Sequence, residues 1–168
     1  LAIAAGELLG IDIQQAIEGL GRAELTGKRL RIREQGGIKV IDDTYNACED
    51  SVKSAINTLI AAEGTRKVAV IGDIIGLAHR SEEAHRQIGR YAAEKGVDLF
   101  ISIGGEAGYC AEEAAKIMGK DRAICFSEKK DFIEVMDRLL KEGDVVLVKA
   151  SRGMELEEIV EEILKDKN

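Results

Sequence analysis

A chain of 168 residues, 45% of them apolar and 33% charged, has enough apolar side chains for one packed core and too many for a disordered segment. Its net charge of −7, from 24 Lys and Arg against 31 Asp and Glu, excludes functions that rest on bulk attraction to nucleic acid or an anionic membrane; anion sites would have to be local, at an arginine or a helix N-terminus. No apolar run approaches the ~18 residues that span a bilayer, and no signal-peptide pattern opens the chain. The expected location is therefore cytoplasmic. Cys48, Cys110 and Cys125 are widely spaced and the chain has 2 histidines, which gives neither a zinc-ligand spacing nor a disulfide framework. Cys110 and Cys125 sit in apolar runs and read as reduced core residues.

In chain order, Leu8, Leu9, Ile13, Ile17 and Leu20 recur at helical spacing, broken at Gly10, with Asp12 as an N-cap. Residues 1–21 read as the helical tail of a preceding domain, and 22–168 as the domain proper. From Lys28 the period changes to two. Leu30 and Ile32, then Ile38 and Val40, flank Gly36-Gly37, the pattern of a hairpin. A helix is expected from about Asp50 to Glu63. Strands and helices then alternate: a strand over Lys67–Gly72, a helix from Ser81 with a capping-box signature, a strand over Asp98–Ile103, a helix over Glu106–Met118, a short strand over Arg122–Phe126, a helix capped by Ser127, a strand over Asp144–Lys149 and a last helix from near Gly153 ending in lysines. Continuous apolar strands imply burial on both faces. The fold class is therefore α/β: a Rossmann-like, doubly wound, mostly parallel sheet with helices on both faces, preceded by a small hairpin and the helical remnant.

Ligands in such folds meet the loops at the carboxyl ends of strands. Four loops stand there: Asp43–Cys48, Gly72–Ser81, Gly104–Gly108 and Lys149–Arg152. Gly104-Gly105-Glu106-Ala107-Gly108 has the wrong first gap for a dinucleotide fingerprint and reads as a tight βα turn. Thr26-Gly27-Lys28-Arg29 lacks the first glycine, the following Ser or Thr and the helix of a P-loop, so the main site for a nucleotide would lie outside this chain. Turn chemistry accounts for Asp42, Asp43 and Asn46 in the first loop, but not for Tyr45 beside them. Lys149, Ser151 and Arg152 at a helix N-terminus make either a carboxylate or phosphate site or a solvated turn. His85 is either a site residue or a satisfied core histidine.

Three segments in order carry a resemblance: Ile41-Asp42-Asp43-Thr44-Tyr45-Asn46-Ala47 with Asp50-Ser51, Val70-Ile71-Gly72-Asp73 with Ser81 and His85, and Val148-Lys149-Ala150-Ser151-Arg152. Together they resemble the C-terminal domain of the D-alanyl-D-alanine-adding Mur ligases over about residues 25–165. The resemblance implies an ATP-dependent ligase of three domains, in which the third closes over nucleotide and magnesium held mainly by the second. The substrates would be UDP-N-acetylmuramoyl-tripeptide and D-alanyl-D-alanine, joined through an acyl phosphate, and the fragment alone would be inactive. By position, Arg29 would reach the ATP phosphates and Asp43 the ribose, with Tyr45 and Asn46 beside them. Asn46, Asp73, His85, Lys149, Ser151 and Arg152 would face the peptide substrates, and Arg29 and Lys149 would serve catalysis. No metal ligand is implied in this chain. Departures from the family pattern fall in the same loops: Cys48-Glu49 for Asn-Pro, Gly76 for Glu, and Ala78 and Ala150 for glycines. The alternatives are a Mur-like ligase with another amino-acid acceptor and a non-catalytic α/β binding module.

Overall fold

The computed structural model of the chain describes residues 2–22 and 29–165. Two short helices come first, α1 (Ala2–Leu8) and α2 (Ile13–Gly21). Asp12 caps α2 as the sequence implies, its carboxylate accepting from the backbone N–H of Gln14 and Gln15. The two helices pack on each other around Gly6 and Ala16. Their apolar residues are left open to solvent, with Leu8 89% and Leu9 80% exposed. Helix α2 ends at Gly21. Lys28, where the strand period begins, and Thr26 and Gly27 lie outside the described residues.

Strands β1 (Arg31–Gln35) and β2 (Ile38–Asp42) form the expected hairpin. Gly36 and Gly37 adopt φ of +57° and +72°, the pair of positive values that a type I′ turn demands and that glycine accepts without strain. The chain then runs through α3 (Glu49–Ala61), β3 (Arg66–Gly72), α4 (Ser81–Glu94), β4 (Leu99–Ile103), α5 (Gly108–Met118), β5 (Ala123–Phe126), α6 (Lys129–Leu139), β6 (Asp144–Lys149) and α7 (Glu157–Ile163). One six-stranded sheet has the order β1-β2-β6-β3-β4-β5, parallel except for β1. The hairpin is thus no separate unit: its second strand pairs with β6 and extends the sheet.

Alternate residues of each strand enter opposite cores. Ile41, Ala69, Ile71, Phe100, Val145 and Leu147 meet α3, α4 and α5 on one face. Val40, Val68, Val70, Ile101, Val146 and Val148 meet Phe132, Met136, Ile159 and Val160 of α6 and α7 on the other. This period-two division of continuous apolar runs is what a doubly covered parallel sheet requires. Arg66 and Asp144 lock the amino ends of β3 and β6 together, with guanidinium–carboxylate bonds of 2.8 and 2.6 Å. This places the opposite ends of those strands side by side, where the loops gather.

Four local expectations are corrected. Ser81 does not cap α4; its hydroxyl lies 3.2 Å from the imidazole of His85 instead. Ser127 does not cap α6, which begins at Lys129 with Glu128 at the N-cap and no side-chain cap bond. The last helix starts at Glu157 rather than near Gly153, because Arg152–Met154 form a 3₁₀ turn and Glu155 takes left-handed backbone (φ +50°). Of its lysines, Lys165 pairs with Glu162 beyond the helix end, and Lys167 lies outside the described residues. Cys110 is buried but Cys125 is exposed. Its strand, β5, is at the sheet edge, and the α5 residues that line the groove beside it, Gly108, Ala111 and Ala115, are too small to cover the thiol.

Candidate functional site

The β2–α3 loop is built inward from the strand end. Asp42 folds back on Thr44, accepting from its N–H at 3.2 Å and its hydroxyl at 2.7 Å, a local turn of the kind aspartate favours. Asp43 continues the ladder by donating its N–H to the Val148 carbonyl at 3.0 Å. Its carboxylate turns to Lys149, whose Nζ lies 2.6 Å from Asp43 Oδ2 and 2.7 Å from the Asn46 carbonyl. Lys149 is 2% exposed. An ammonium this buried is stable only when paired and hydrogen-bonded, and both bonds go to the same loop. Tyr45 extends outward, with the Arg29 guanidinium 4.2 Å from its ring centroid, within cation–π range.

Helix α3 begins against this loop. Cys48 is its N-cap residue, and the Ser51 hydroxyl accepts from the Cys48 N–H at 3.0 Å. The hydrogen bonds from Ser51 hold the Cys48 thiol below its ordinary range. Burial pushes the Cys110 thiol up. Iodoacetamide at neutral pH should therefore alkylate Cys48 and spare Cys110 in the folded chain, as read by peptide mass spectrometry; modification of Cys110 at a comparable rate would contradict this.

Arg29, Asp43, Tyr45, Asn46, Cys48, Ser51 and Lys149 line one cleft of about 250 Å³. Five of these, Arg29, Asp43, Tyr45, Asn46 and Lys149, were singled out in the sequence. Ser51 belongs to the segment that carries the resemblance, and Cys48 stands in that segment as a departure from the family pattern. The cleft offers a guanidinium, a carboxylate, a phenol and an amide, groups that suit phosphate and sugar hydroxyls.

A second cleft, of about 310 Å³, lies at the β3–α4 loop and is lined by Asp73, Ile74, Ile75, Gly76, Leu77, Ala78, Ser81 and Glu106. Asp73 Oδ1 accepts from Ala107 N at 2.6 Å. Residue 104 must be glycine for this to happen, because a Cβ there would stand 2.4 Å from the same oxygen. His85 is fully buried. Its Nδ1 lies 2.8 Å from the Ser81 carbonyl, which can only accept, so Nδ1 carries the proton. Nε2 is then the acceptor for Ile74 N–H at 3.1 Å. Ser151 Oγ accepts from Ile75 N at 2.8 Å, and Ser151 N donates to the Asp73 carbonyl at 3.1 Å. His85 and Ser151 thus hold the loop, while Asp73 lines the cleft. Arg152 lines neither cleft; it pairs with Glu157 at 2.7 Å. Among the described residues no group of three or more His, Cys, Asp and Glu side chains could hold a metal ion. No helix of the described residues is long and apolar enough to cross a membrane.

Ala78 adopts φ +49°, left-handed backbone that costs an L-residue roughly 1 kcal/mol. Ala78→Gly removes that strain and returns about half of it as unfolded-chain entropy. The variant should be as stable as the parent sequence or more so by about 0.5 kcal/mol in urea unfolding. A clear loss would mean that the methyl group packs against the loop.

The chain is a doubly wound α/β domain with two clefts at the carboxyl ends of its strands. The family model described as "Mur ligase, glutamate ligase domain" matches residues 21–152, and the chain belongs to the Mur ligase family. It is 37% identical over 166 residues to the UDP-N-acetylmuramoyl-tripeptide–D-alanyl-D-alanine ligase of Bacillus subtilis, covering 98% of this chain and 36% of that protein. With the ligase of the same name from Escherichia coli it shares 33% over 165 residues, 95% of this chain and 35% of that one. Among solved structures, MurF from Acinetobacter baumannii superposes with a TM-score of 0.86 at 26% identity over 98% of this chain and 36% of that one. MurF ligase from Thermotoga maritima in complex with ADP superposes with a TM-score of 0.75 at 27% identity over 95% and 35%. The chain therefore spans about a third of the length of the relatives it matches.

Proposed function

We propose that this chain is the C-terminal domain of an ATP-dependent ligase that joins D-alanyl-D-alanine to UDP-N-acetylmuramoyl-tripeptide in peptidoglycan precursor synthesis, and that it acts in the cytoplasm. The observation that carries the reading is the convergence of Arg29, Asp43, Tyr45, Asn46 and Lys149, residues up to 120 positions apart in the chain, on one cleft. Their types and order also match the resemblance. In the reaction a carboxylate oxygen of the tripeptide attacks the γ-phosphorus of ATP, and ADP leaves with the electrons of the broken P–O bond. The amine of the dipeptide then attacks the acyl carbon. The nitrogen loses a proton, the C–O bond to phosphate breaks, and amide and phosphate result.

The chain's own contribution is to neutralise, hold and enclose. Arg29 stands ready to face the nucleotide phosphates, and Tyr45 holds its guanidinium flat until then. Asp43 Oδ1 remains to accept from a sugar hydroxyl while Oδ2 stays on Lys149. The Asp73 cleft takes the acceptor side. Magnesium and most of the nucleotide belong to the central domain, whose last helices are α1 and α2; the exposed apolar side chains of those helices support a covering of that kind.

The test uses the longer parent enzyme with ATP, magnesium, UDP-N-acetylmuramoyl-tripeptide and D-alanyl-D-alanine. Phosphate should be released only when all are present, and no release would end the reading. Arg29→Ala should raise the KM for ATP on the order of ten-fold, about the worth of one charge-assisted hydrogen bond, with the KM for the tripeptide little changed. An equal rise in both would place Arg29 elsewhere.

A further inference from the structure

We propose that Lys149 and Ser151, the two polar residues at the end of β6, are positioning residues that order the two clefts separately, Lys149 the cleft of Arg29 and Asp43 and Ser151 the cleft of Asp73. The assignment of a nucleotide to the first cleft and of the dipeptide to the second rests on the function proposed above; the division of labour between the two residues does not.

The Lys149 ammonium bonds to the β2–α3 loop twice, at Asp43 Oδ2 and the Asn46 carbonyl. The side chain is 2% exposed. Both bonds tie it to the loop, so it acts on the cleft through the loop. Ser151, 5% exposed, spends its N–H on the Asp73 carbonyl and its hydroxyl oxygen on Ile75 N–H. Both contacts lie in the β3–α4 loop. Ala150, between them, is 1% exposed and packs so tightly on the end of β3 that a Cβ on Gly72 would stand 2.7 Å from its own. The three residues form a fixed strap at the junction of β6 and β3, with each polar side chain stitched to a different loop. A loop that orders a ligand-facing group contributes to binding of that ligand and not of the other. Strap substitutions should therefore separate the two Michaelis constants, which a general loss of stability would not do.

Amide hydrogen exchange on the 168-residue chain tests the ordering itself. Lys149→Met should speed exchange at Asp43, Thr44 and Ala47 and leave Ile74 and Ile75 as they are; Ser151→Ala should do the reverse. Lys149→Gln takes the place of the methionine variant if that one does not fold. In the parent enzyme, Lys149→Met should raise the KM for ATP on the order of ten-fold with the KM for D-alanyl-D-alanine within about two-fold, and Ser151→Ala the opposite. Lys149→Arg and Ser151→Thr, which keep the donor and the acceptor, should restore each value. Exchange that rises in both loops together, or in neither, overturns the proposal whatever the enzyme's activity. Separate loop responses in a parent that releases no phosphate would uphold the strap and sink the ligase reading instead.

Discussion

Gly89→Ala should cost about 3 kcal/mol of folding stability and lower the melting temperature by roughly 10 °C, at 2–4 °C per kcal/mol for a chain of this size. A Cβ at residue 89 would lie 2.0 Å from the Cys110 carbonyl oxygen, 2.7 Å from its carbon and 2.8 Å from its Cα. These are backbone atoms of α5, so no side-chain rotation relieves the clash; the helices must part. Ile88 and Ala92 of α4 and Ala114 and Met118 of α5 lie in the core that would open. Arg90–Glu113 and Arg86–Glu112 pairs at 2.6 and 3.0 Å bridge the same seam; Glu113 is buried, but each pair keeps one partner open to water, and neither offsets the clash. The damage reaches the site, because the start of α5 carries the Ala107 N–H that holds Asp73. Gly105→Ala is the control: nothing lies within 4 Å of a Cβ there, so its unfolding curve should stay within about 0.5 kcal/mol of the parent sequence. Equal curves for the two variants would show that α4 and α5 separate freely.

Elements whose signal is local were legible in the sequence. The hairpin follows from alternation around Gly36-Gly37, α2 from Asp12 and its spacing, and β6 from the apolar run Val145–Val148 between Asp144 and Lys149. Helix starts were less legible where another side chain of the same helix takes the capping group. Ser81 has the right neighbours for a capping box, yet its hydroxyl meets His85. Glu155 in left-handed backbone carries no sequence signal at all, since glycine or asparagine is the usual choice there. In the site, the residue types were visible but their employment was not. Lys149 reads as a free cation after a strand, and the contact that consumes it spans 106 positions. The same holds for Ser151 and His85, whose polar atoms are turned to backbone N–H groups of the β3–α4 loop.

That employment decides how Asp43 should be tested. Asp43→Ala should cost about 3–5 kcal/mol, the range for stripping one partner from a buried ion pair, since Lys149 would keep its charge at 2% exposure with only the Asn46 carbonyl left to it. Under the function proposed above, a fall in activity of the parent enzyme carrying this variant would then mix two effects, a misplaced β2–α3 loop and a lost contact to the nucleotide. Two further variants separate them. Asp43→Asn keeps an oxygen for Lys149 Nζ and should be less destabilised than the alanine variant. Lys149→Met combined with Asp43→Ala removes both charges, and replacing a buried pair by apolar groups is often near neutral. The double variant should therefore unfold at higher urea than Asp43→Ala alone, a coupling of at least about 2 kcal/mol in a double-mutant cycle. Additive losses would mean that the pair is open to water, and Lys149 could then meet substrate directly. With coupling observed, any ATP-binding defect that survives in a stable Asp43→Asn parent enzyme belongs to the carboxylate's contact with the nucleotide and not to the loop.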